Sequence, residues 1–219
     1  MIKRIAFDLD GTIYNSLDVN IRSCNELLLQ YGYFGISNEC FTYFFQTKDW
    51  AKFWSDIGVK ECDVADFTNL FHKKLGRYEP RTLIPGALDV LAAVNRQLGA
   101  SNIFFITNLP EEYIKMRFAN DKLEDYLSQV RTNDEGKAEA LFEIAGKIPD
   151  SDFVYIGDLI SDGEECLEAR RRGALNIQFL AVAHKYAMNH PSLLIDFCRK
   201  NPEFARATKS LDELMRVIK

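Results

Sequence analysis

The sequence predicts an α/β fold in which a doubly wound parallel sheet carries an inserted helical segment. Beyond about residue 82, short apolar runs alternate with amphipathic stretches, which is the pattern of parallel strands joined by helices. Between the first apolar run and residue 82, the sequence is helical in pattern and rich in aromatic residues, with no clear strand. We therefore predict a Rossmann-like core and a separate helical module.

The first strand is a continuous apolar run at residues 5–7, which precedes the stretch D-L-D-G. Further strands are predicted at residues 101–108, 127–132, 152–158 and 174–180. Helices are predicted at residues 16–33, 86–98, 109–120, 136–148 and 161–173. Two Ser-x-x-Glu patterns indicate helix starts with a capping box, one at Ser161 and one at Ser210.

The predicted domain organisation is a core formed by residues 1–14 and 82–219, interrupted by an inserted helical domain at 15–81, which takes the place of a cap domain in the family that the motifs described below resemble. The aromatic residues of the inserted segment are expected to pack as a small core, although a pocket lined by aromatic rings is the alternative. Four basic residues of this segment and its exit either contact an acidic substrate or are solvated surface: Lys48, Lys52, Arg77 and Arg81.

Composition excludes several classes of protein. The 219 residues carry a net charge of −5 and no long basic run, which argues against a nucleic-acid partner. No apolar stretch approaches the ~18 residues of a membrane span, and no secretory leader is recognisable, so neither membrane insertion nor export is expected. The 5 cysteines are scattered, which favours reduced thiols in the cytoplasm over disulfides or zinc. The sequence does not predict an oligomeric state.

Polar side chains follow the predicted strands at the point where each strand ends. In a parallel sheet these ends meet at one edge, where ligands bind. Carboxylates, a hydroxyl and an ammonium gathered there suit a hard cation such as Mg²⁺ and a phosphoryl group. The residues concerned are Asp8, Asp10, Thr107, Asn108, Lys137, Asp158 and Asp162.

Each of these residues also has a simpler interpretation. Asp8 and Asp10 share one face if the strand continues, but D-L-D-G is equally an ordinary turn. Asp158 and Asp162 are typical helix caps. A lysine at a helix amino terminus, however, opposes the helix dipole, so Lys137 is better explained beside a phosphate. Their joint placement at the predicted strand ends favours a functional site.

In order and spacing these residues resemble the four motifs of the haloacid dehalogenase-like hydrolase superfamily. D-L-D-G-T at residues 8–12 resembles the first motif and I-T-N at 106–108 the second. Lys137 in G-K-A-E-A-L matches the third, and G-D-L-I-S-D at 157–162 matches the fourth. The resemblance covers nearly the whole chain, and the chain is most similar in pattern to phosphoglycolate phosphatase-like members with a helical cap.

The resemblance implies a phosphatase that acts on a small phosphorylated metabolite through an aspartyl-phosphate. Asp8 would be the nucleophile, and Asp10 would be the general acid and base. Thr107 and the backbone amide of Asn108 would hold the phosphoryl oxygens, while Lys137 offsets their charge.

The resemblance also implies a Mg²⁺ site formed by Asp8, Asp158 and the carbonyl oxygen of Asp10. Asp162 would be a further ligand or, as we favour, would orient Lys137 and the metal shell. The alternatives are a phosphomutase of the same fold, a phospho-accepting receiver domain and a binding protein without turnover. The length of the helical insertion and the paired acids on the first strand argue against a receiver.

Overall fold

The structure is a computed structural model, and it describes residues 2–45, 49–75, 81–132, 136–148 and 151–218. Within these ranges, six parallel strands form the central sheet in the order β5-β4-β1-β6-β7-β8. The strands are β1 (Ile2–Phe7), β4 (Ile103–Thr107), β5 (Val130–Thr132), β6 (Asp152–Gly157), β7 (Ile177–Val182) and β8 (Ala205–Thr208). A separate antiparallel ribbon pairs β2 (Tyr14–Asn15) with β3 (Thr82–Leu83). The predicted fold class is confirmed.

The helices follow the predicted alternation with the strands. In the inserted segment they are α1 (Leu17–Gln30), α2 (Asn38–Phe44), α3 (Trp50–Asp56) and α4 (Glu61–Leu75). Around the sheet they are α5 (Ala87–Leu98), α6 (Glu111–Asp121), α7 (Ala138–Gly146), α8 (Ile160–Arg171), α9 (Pro191–Lys200) and α10 (Leu211–Ile218). No helix among the described residues combines the length and apolarity that a membrane crossing requires.

Helices cover both faces of the sheet. Successive residues of a strand point to opposite faces, so each strand contributes side chains to two cores. Ile5 and Phe7 of β1 belong to one apolar core, together with buried residues of α5, α6 and α10. Ala6, between them, belongs to a second core with residues of α7, α8 and α9. Strands buried on both faces explain the continuous apolar runs of the sequence.

The inserted helices have an apolar core of their own. Most of its aromatic side chains are buried, and their ring centroids lie within about 4 to 6 Å of their neighbours. The partly buried Trp50, for example, lies 4.1 Å from Phe71. Aromatic rings at such separations attract one another in tilted and edge-to-face arrangements. The expectation that the aromatic residues pack as a core therefore agrees with the structure. Leu159 and Met188 extend this core into the α/β part of the chain.

Two strands of the central sheet differ most from the sequence predictions. The predicted strand at residues 127–132 is shortened to β5, because residues 124–129 form turns of 3₁₀-helix. Strand β8 was not predicted at all. It has four residues, Ala-Arg-Ala-Thr, whose middle two are exposed at the edge of the sheet, so it has neither an apolar run nor strict alternation.

Candidate active site

The centre of the sheet positions the site. Asp8 directly follows β1, Thr107 is the last residue of β4, and Asp158 directly follows β6. Because β4 and β6 are the two hydrogen-bonded neighbours of β1, the ends of these three strands are adjacent. The parallel topology thus brings residues that are about 150 positions apart in the sequence to one edge of the sheet.

Three carboxylates form a buried acidic group at this edge. One oxygen from each of Asp8, Asp158 and Asp162 lies within 4.8 Å of the other two. Asp158 is held on both sides, since Thr12 Oγ1 donates to its Oδ1 (3.1 Å) and the backbone N–H of Met188 donates to its Oδ2 (2.6 Å). Burial, followed by the negative charges of Asp8 and Asp162, raises the pKa of Asp158 well above its usual range.

Lys137 is the cation of this group, and it lies at the amino terminus of α7 as predicted. Its Nζ donates to Asp8 Oδ1, Asp162 Oδ1 and the hydroxyl of Tyr155, each at 2.7 Å. Burial acts to lower the pKa of Lys137, but the charges of Asp162 and Asp8 outweigh it and raise the pKa above its usual value. The three protons of an ammonium match these three acceptors, so Lys137 is held in one orientation.

The carboxylate of Asp162 is buried and is bonded to Lys137. Its Oδ1 accepts from Lys137 and from the Tyr155 hydroxyl (3.2 Å), and its Oδ2 accepts from the backbone N–H of Leu159 (3.2 Å). The hydrogen bond from the Leu159 N–H to Asp162 also caps the amino terminus of α8, which begins at Ile160. The capping box predicted at Ser161 is therefore wrong.

Two glycines make room for these carboxylates. Gly11 has φ of 81°, a left-handed conformation, and a Cβ built there would overlap the carboxylate of Asp158. A Cβ at Gly157 would likewise overlap the carboxylate of Asp162. The glycines of D-G-T and G-D therefore permit close approach of chain and carboxylate.

Asp10 lies in different surroundings from Asp8. Its Oδ1 accepts from Arg81 Nη1 (2.6 Å), Arg117 Nη1 (2.8 Å) and Ser16 Oγ (2.6 Å). Burial acts to raise the pKa of Asp10, but the two guanidinium charges and these hydrogen bonds hold it well below its usual range. The carboxyl group of Asp10 is not one of the three in the acidic group. The strand does not continue to Asp10, because β1 ends at Phe7 and the chain turns at Gly11, so the condition given above for a shared face is not met.

The two residues predicted to bind phosphate, Thr107 and Asn108, lie at the carboxyl end of β4. Thr107 is buried and its Oγ1 accepts from the backbone N–H of Leu109 (3.2 Å), whereas Asn108 is exposed. Their role in holding a phosphoryl group stays a prediction.

Sequence reasoning missed three residues of the site. Arg117 is on the apolar face of α6, next to the buried Ile114 and Phe118, and a charge at such a position must find a partner. That signal was available in the sequence. Tyr155 and Ser16 gave no signal, because a tyrosine in a buried strand and a serine before a helix are both ordinary.

The four basic residues considered earlier have different outcomes. Lys52 is exposed and pairs with Asp56 on its own helix at 2.5 Å, as expected of solvated surface. Arg81 is buried against Asp10, so a solvated role is wrong for it. Lys48 and Arg77 lie outside the described residues.

The acidic group fits a hard divalent cation. Two of its three buried carboxylates are bonded to the ammonium of Lys137, and carboxylate oxygens are the ligands that Mg²⁺ prefers. The raised pKa of Asp158 reflects like charges held close together, and a bound cation would offset this repulsion.

The fold and this edge of the sheet define a hydrolase of a known family. The chain belongs to the haloacid dehalogenase-like hydrolases, whose family model matches residues 5–175. This confirms the resemblance inferred from the four motifs. The match includes the ends of β1, β4 and β6 and the start of α7.

Solved structures with the same fold cover nearly the full chain. One is a hydrolase of the haloacid dehalogenase-like family from Streptococcus pneumoniae, with 16% identity, TM-score 0.72, and coverage of 100% of this chain and 99% of that one. A predicted phosphoglycolate phosphatase from Haemophilus somnus 129pt has 18% identity, TM-score 0.67, and coverage of 100% and 98%. A haloacid dehalogenase-like protein from Agrobacterium tumefaciens has 19% identity, TM-score 0.72, and coverage of 100% and 98%. At these identities the likeness shows the fold alone. No curated protein matches the chain in sequence.

Proposed function

We propose that this protein is a Mg²⁺-dependent phosphatase that hydrolyses a small phosphorylated metabolite through an aspartyl-phosphate on Asp8. The observation that carries the proposal is the environment of Asp8. Its carboxylate is held by Lys137 within a buried acidic group at the carboxyl edge of the sheet, and a second, more exposed carboxylate follows at Asp10. Membership of the hydrolase family supports the same chemistry.

In the first step a carboxylate oxygen of Asp8 attacks phosphorus, and the bond between phosphorus and the leaving oxygen breaks. Asp10 in its protonated form, which the lowered pKa makes the minor form near neutral pH, donates a proton to that oxygen, so that the leaving group departs as an alcohol. In the second step Asp10, now ionised, takes a proton from water as the water oxygen attacks phosphorus. The bond to Asp8 then breaks, and inorganic phosphate and the original enzyme are recovered.

Lys137 would act mainly by its charge. It is bonded to Asp8 in the resting arrangement and stands beside the point where negative charge develops on the phosphoryl oxygens. Asp162 and Tyr155 keep its ammonium in place without lying on the reaction path. Thr107 and the backbone N–H of Asn108 would bind the oxygens of the phosphoryl group during its transfer.

The residues that would hold Mg²⁺ are Asp8, Asp158 and the backbone carbonyl of Asp10. When bound, the ion would supply positive charge that stabilises the negative phosphoryl oxygens. Asp162 is the less suitable ligand, because its oxygens already accept from Lys137, Tyr155 and Leu159.

We further propose that residues 15–81 act as a cap over a core formed by 1–14 and 82–219. The separate aromatic core of α1 to α4 supports a semi-independent body, and the β2–β3 ribbon lies where the chain leaves and re-enters the sheet domain. Closure of such a body would exclude water during phosphoryl transfer. The 5 free cysteines suit a reducing compartment such as the cytoplasm.

The test is release of phosphate from 4-nitrophenyl phosphate with and without Mg²⁺. We expect turnover that EDTA abolishes, and we expect Asp8→Asn to lower kcat by at least about 1000-fold, as loss of a nucleophile does elsewhere. The matched control is Asp196→Asn, an exposed aspartate on α9 that pairs with Arg199. Unchanged turnover in Asp8→Asn would overturn the assignment of the nucleophile.

The same assay with hexose phosphates separates the hydrolase from a phosphomutase. A hydrolase releases inorganic phosphate from the sugar, whereas a mutase converts the sugar phosphate to an isomer without release. We expect release.

A further inference from the structure

The two carboxylate oxygens of Asp10 differ in their hydrogen bonds to Ser16, Arg81 and Arg117. Ser16, Arg81 and Arg117 all donate to Oδ1, and Oδ2 takes none of these three bonds. A carboxylate that is fixed through one oxygen has a defined direction for the other. The arrangement therefore determines where the second oxygen of Asp10 points.

The two arginines are more deeply buried than the carboxylate that they bind. The side chains of Arg81 and Arg117 are 5% and 3% exposed, whereas that of Asp10 is 28% exposed. Arg117 is held further by the ring of Tyr14, whose centroid lies 5.5 Å from its Cζ. Both guanidinium groups donate to Asp10, so we expect them to act on the reaction through this residue.

The three donors come from separate parts of the chain. Ser16 immediately precedes α1, Arg81 immediately precedes β3, and Arg117 is on α6 beside the sheet. The first two flank the inserted helices on their two sides, so Oδ1 joins both ends of that segment to the sheet domain. A surface ion pair of ordinary stabilising type would not require three elements to meet at one oxygen.

We propose that Arg81 and Arg117, assisted by Ser16, are positioning residues that aim Oδ2 of Asp10 at the leaving-group oxygen of the substrate. The proposal rests on the function proposed above, in which Asp10 is the proton donor. General acid catalysis contributes typically 10²–10⁴-fold, and it depends on hydrogen-bond distance and direction. If Asp10 is misdirected, kcat/KM should therefore fall most for the substrates whose leaving group needs a proton to depart.

The experiment uses aryl phosphates whose leaving groups differ in acidity, from 4-nitrophenyl phosphate to phenyl phosphate and 4-methoxyphenyl phosphate. Arg117→Lys and Arg81→Lys keep the positive charge but lose the planar geometry of the guanidinium. We expect kcat/KM for phenyl phosphate to fall about tenfold more than kcat/KM for 4-nitrophenyl phosphate, because 4-nitrophenolate departs without a proton.

The control is Arg4→Lys, since Arg4 is a partly buried arginine whose Nη1 donates to the carbonyl of Ile144. This variant should keep the parent ratio between the two substrates. Thermal unfolding establishes that each variant is folded. If a lysine variant fails to fold, Ser16→Ala applies the same test, and it should show a smaller change of ratio in the same direction.

Equal losses on all aryl phosphates would overturn the positioning role and leave the arginines as structural ion pairs. An unchanged ratio in folded Ser16→Ala, when neither lysine variant folds, would overturn it as well. Failure of the proposed function has a separate signature, because the parent protein would then release no phosphate from any of these esters.

Discussion

Asp8 and Asp10 are two residues apart, yet the protein surrounds them differently. Asp8 is 7% exposed and is held by the ammonium of Lys137, which is itself shared with Asp162. Asp10 is 28% exposed and is held by two guanidinium groups at one oxygen. The first environment fixes a carboxylate within a dense acidic group. In the second, Ser16 and the two arginines all donate to Oδ1 and none of the three donates to Oδ2.

This difference explains how one short turn could supply two carboxylates with different chemical roles. In the proposed mechanism the nucleophile, Asp8, needs to stay ionised and close to a cation, which Lys137 would provide. An acid and base needs an oxygen that reaches the substrate and exchanges protons with it. The sequence Asp-Leu-Asp-Gly separates the two tasks because the chain leaves the strand at Phe7 and turns at Gly11.

The largest change in stability is expected at the Asp8 environment. Lys137→Met would leave buried carboxylates without their ammonium, and breaking a buried ion pair in this way typically costs about 3–5 kcal/mol. We expect a loss of this order in urea unfolding with EDTA present, and Mg²⁺ should restore more stability to the variant than to the parent.

The control is Lys147→Met, an exposed lysine at the other end of α7. It should change the free energy of unfolding by no more than about 0.5 kcal/mol. A loss in Lys137→Met as small as that in the control would show that the ammonium does not hold the acidic group together.

The two environments should respond at opposite ends of the pH scale. The guanidinium groups prevail over burial and lower the pKa of Asp10, so its contribution to stability is complete above the unfolded value of about 4 and is lost as the pH falls further. The pKa of Lys137 is raised, so its contribution is complete below about 10.4 and is lost as the pH rises through the raised value.

Unfolding free energies of the parent and Asp10→Asn, measured in EDTA between pH 6 and pH 3, test the acid limb. The advantage of the parent over the variant should shrink as the pH falls below about 4. A difference that stays constant over this range would mean that Asp10 is not stabilised in its ionised form.

The smallest effect is expected at Tyr155. Tyr155→Phe keeps the ring in the core but removes the hydroxyl that accepts from Lys137 and donates to Asp162. The carboxylates still hold the ammonium, so we expect a loss of only about 1 kcal/mol in urea unfolding. A loss as large as that of Lys137→Met would show that the hydroxyl, and not the carboxylates, fixes Lys137.

The acidic group was predictable from the sequence, whereas the partners of Asp10 were not. Asp8 and Asp158 directly follow apolar strands, and parallel pairing brings such positions together whatever the rest of the fold does. Lys137 and Asp162 stand in the first turn of helices that start at the same edge. Topology alone therefore places them.

The contacts of Asp10 depend on side-chain packing between separate elements. Arg81 lies in a connection and Arg117 on a helix, and no periodicity in the sequence relates either one to residue 10. Strand β8 was missed for a related reason, because its four residues are ordered by pairing with β7 and not by their own propensity.

The most direct test of the account is the chemical identity of the phosphorylated group. Asp10→Asn should still transfer the phosphoryl group from 4-nitrophenyl phosphate, since that leaving group needs no proton, but should hydrolyse the product slowly. Acid-quenched protein should then carry one phosphoryl group, which peptide mass spectrometry places on Asp8, and the double variant with Asp8→Asn should carry none. Release of nitrophenol with no phosphate on Asp8, or with phosphate on another residue, would contradict the account.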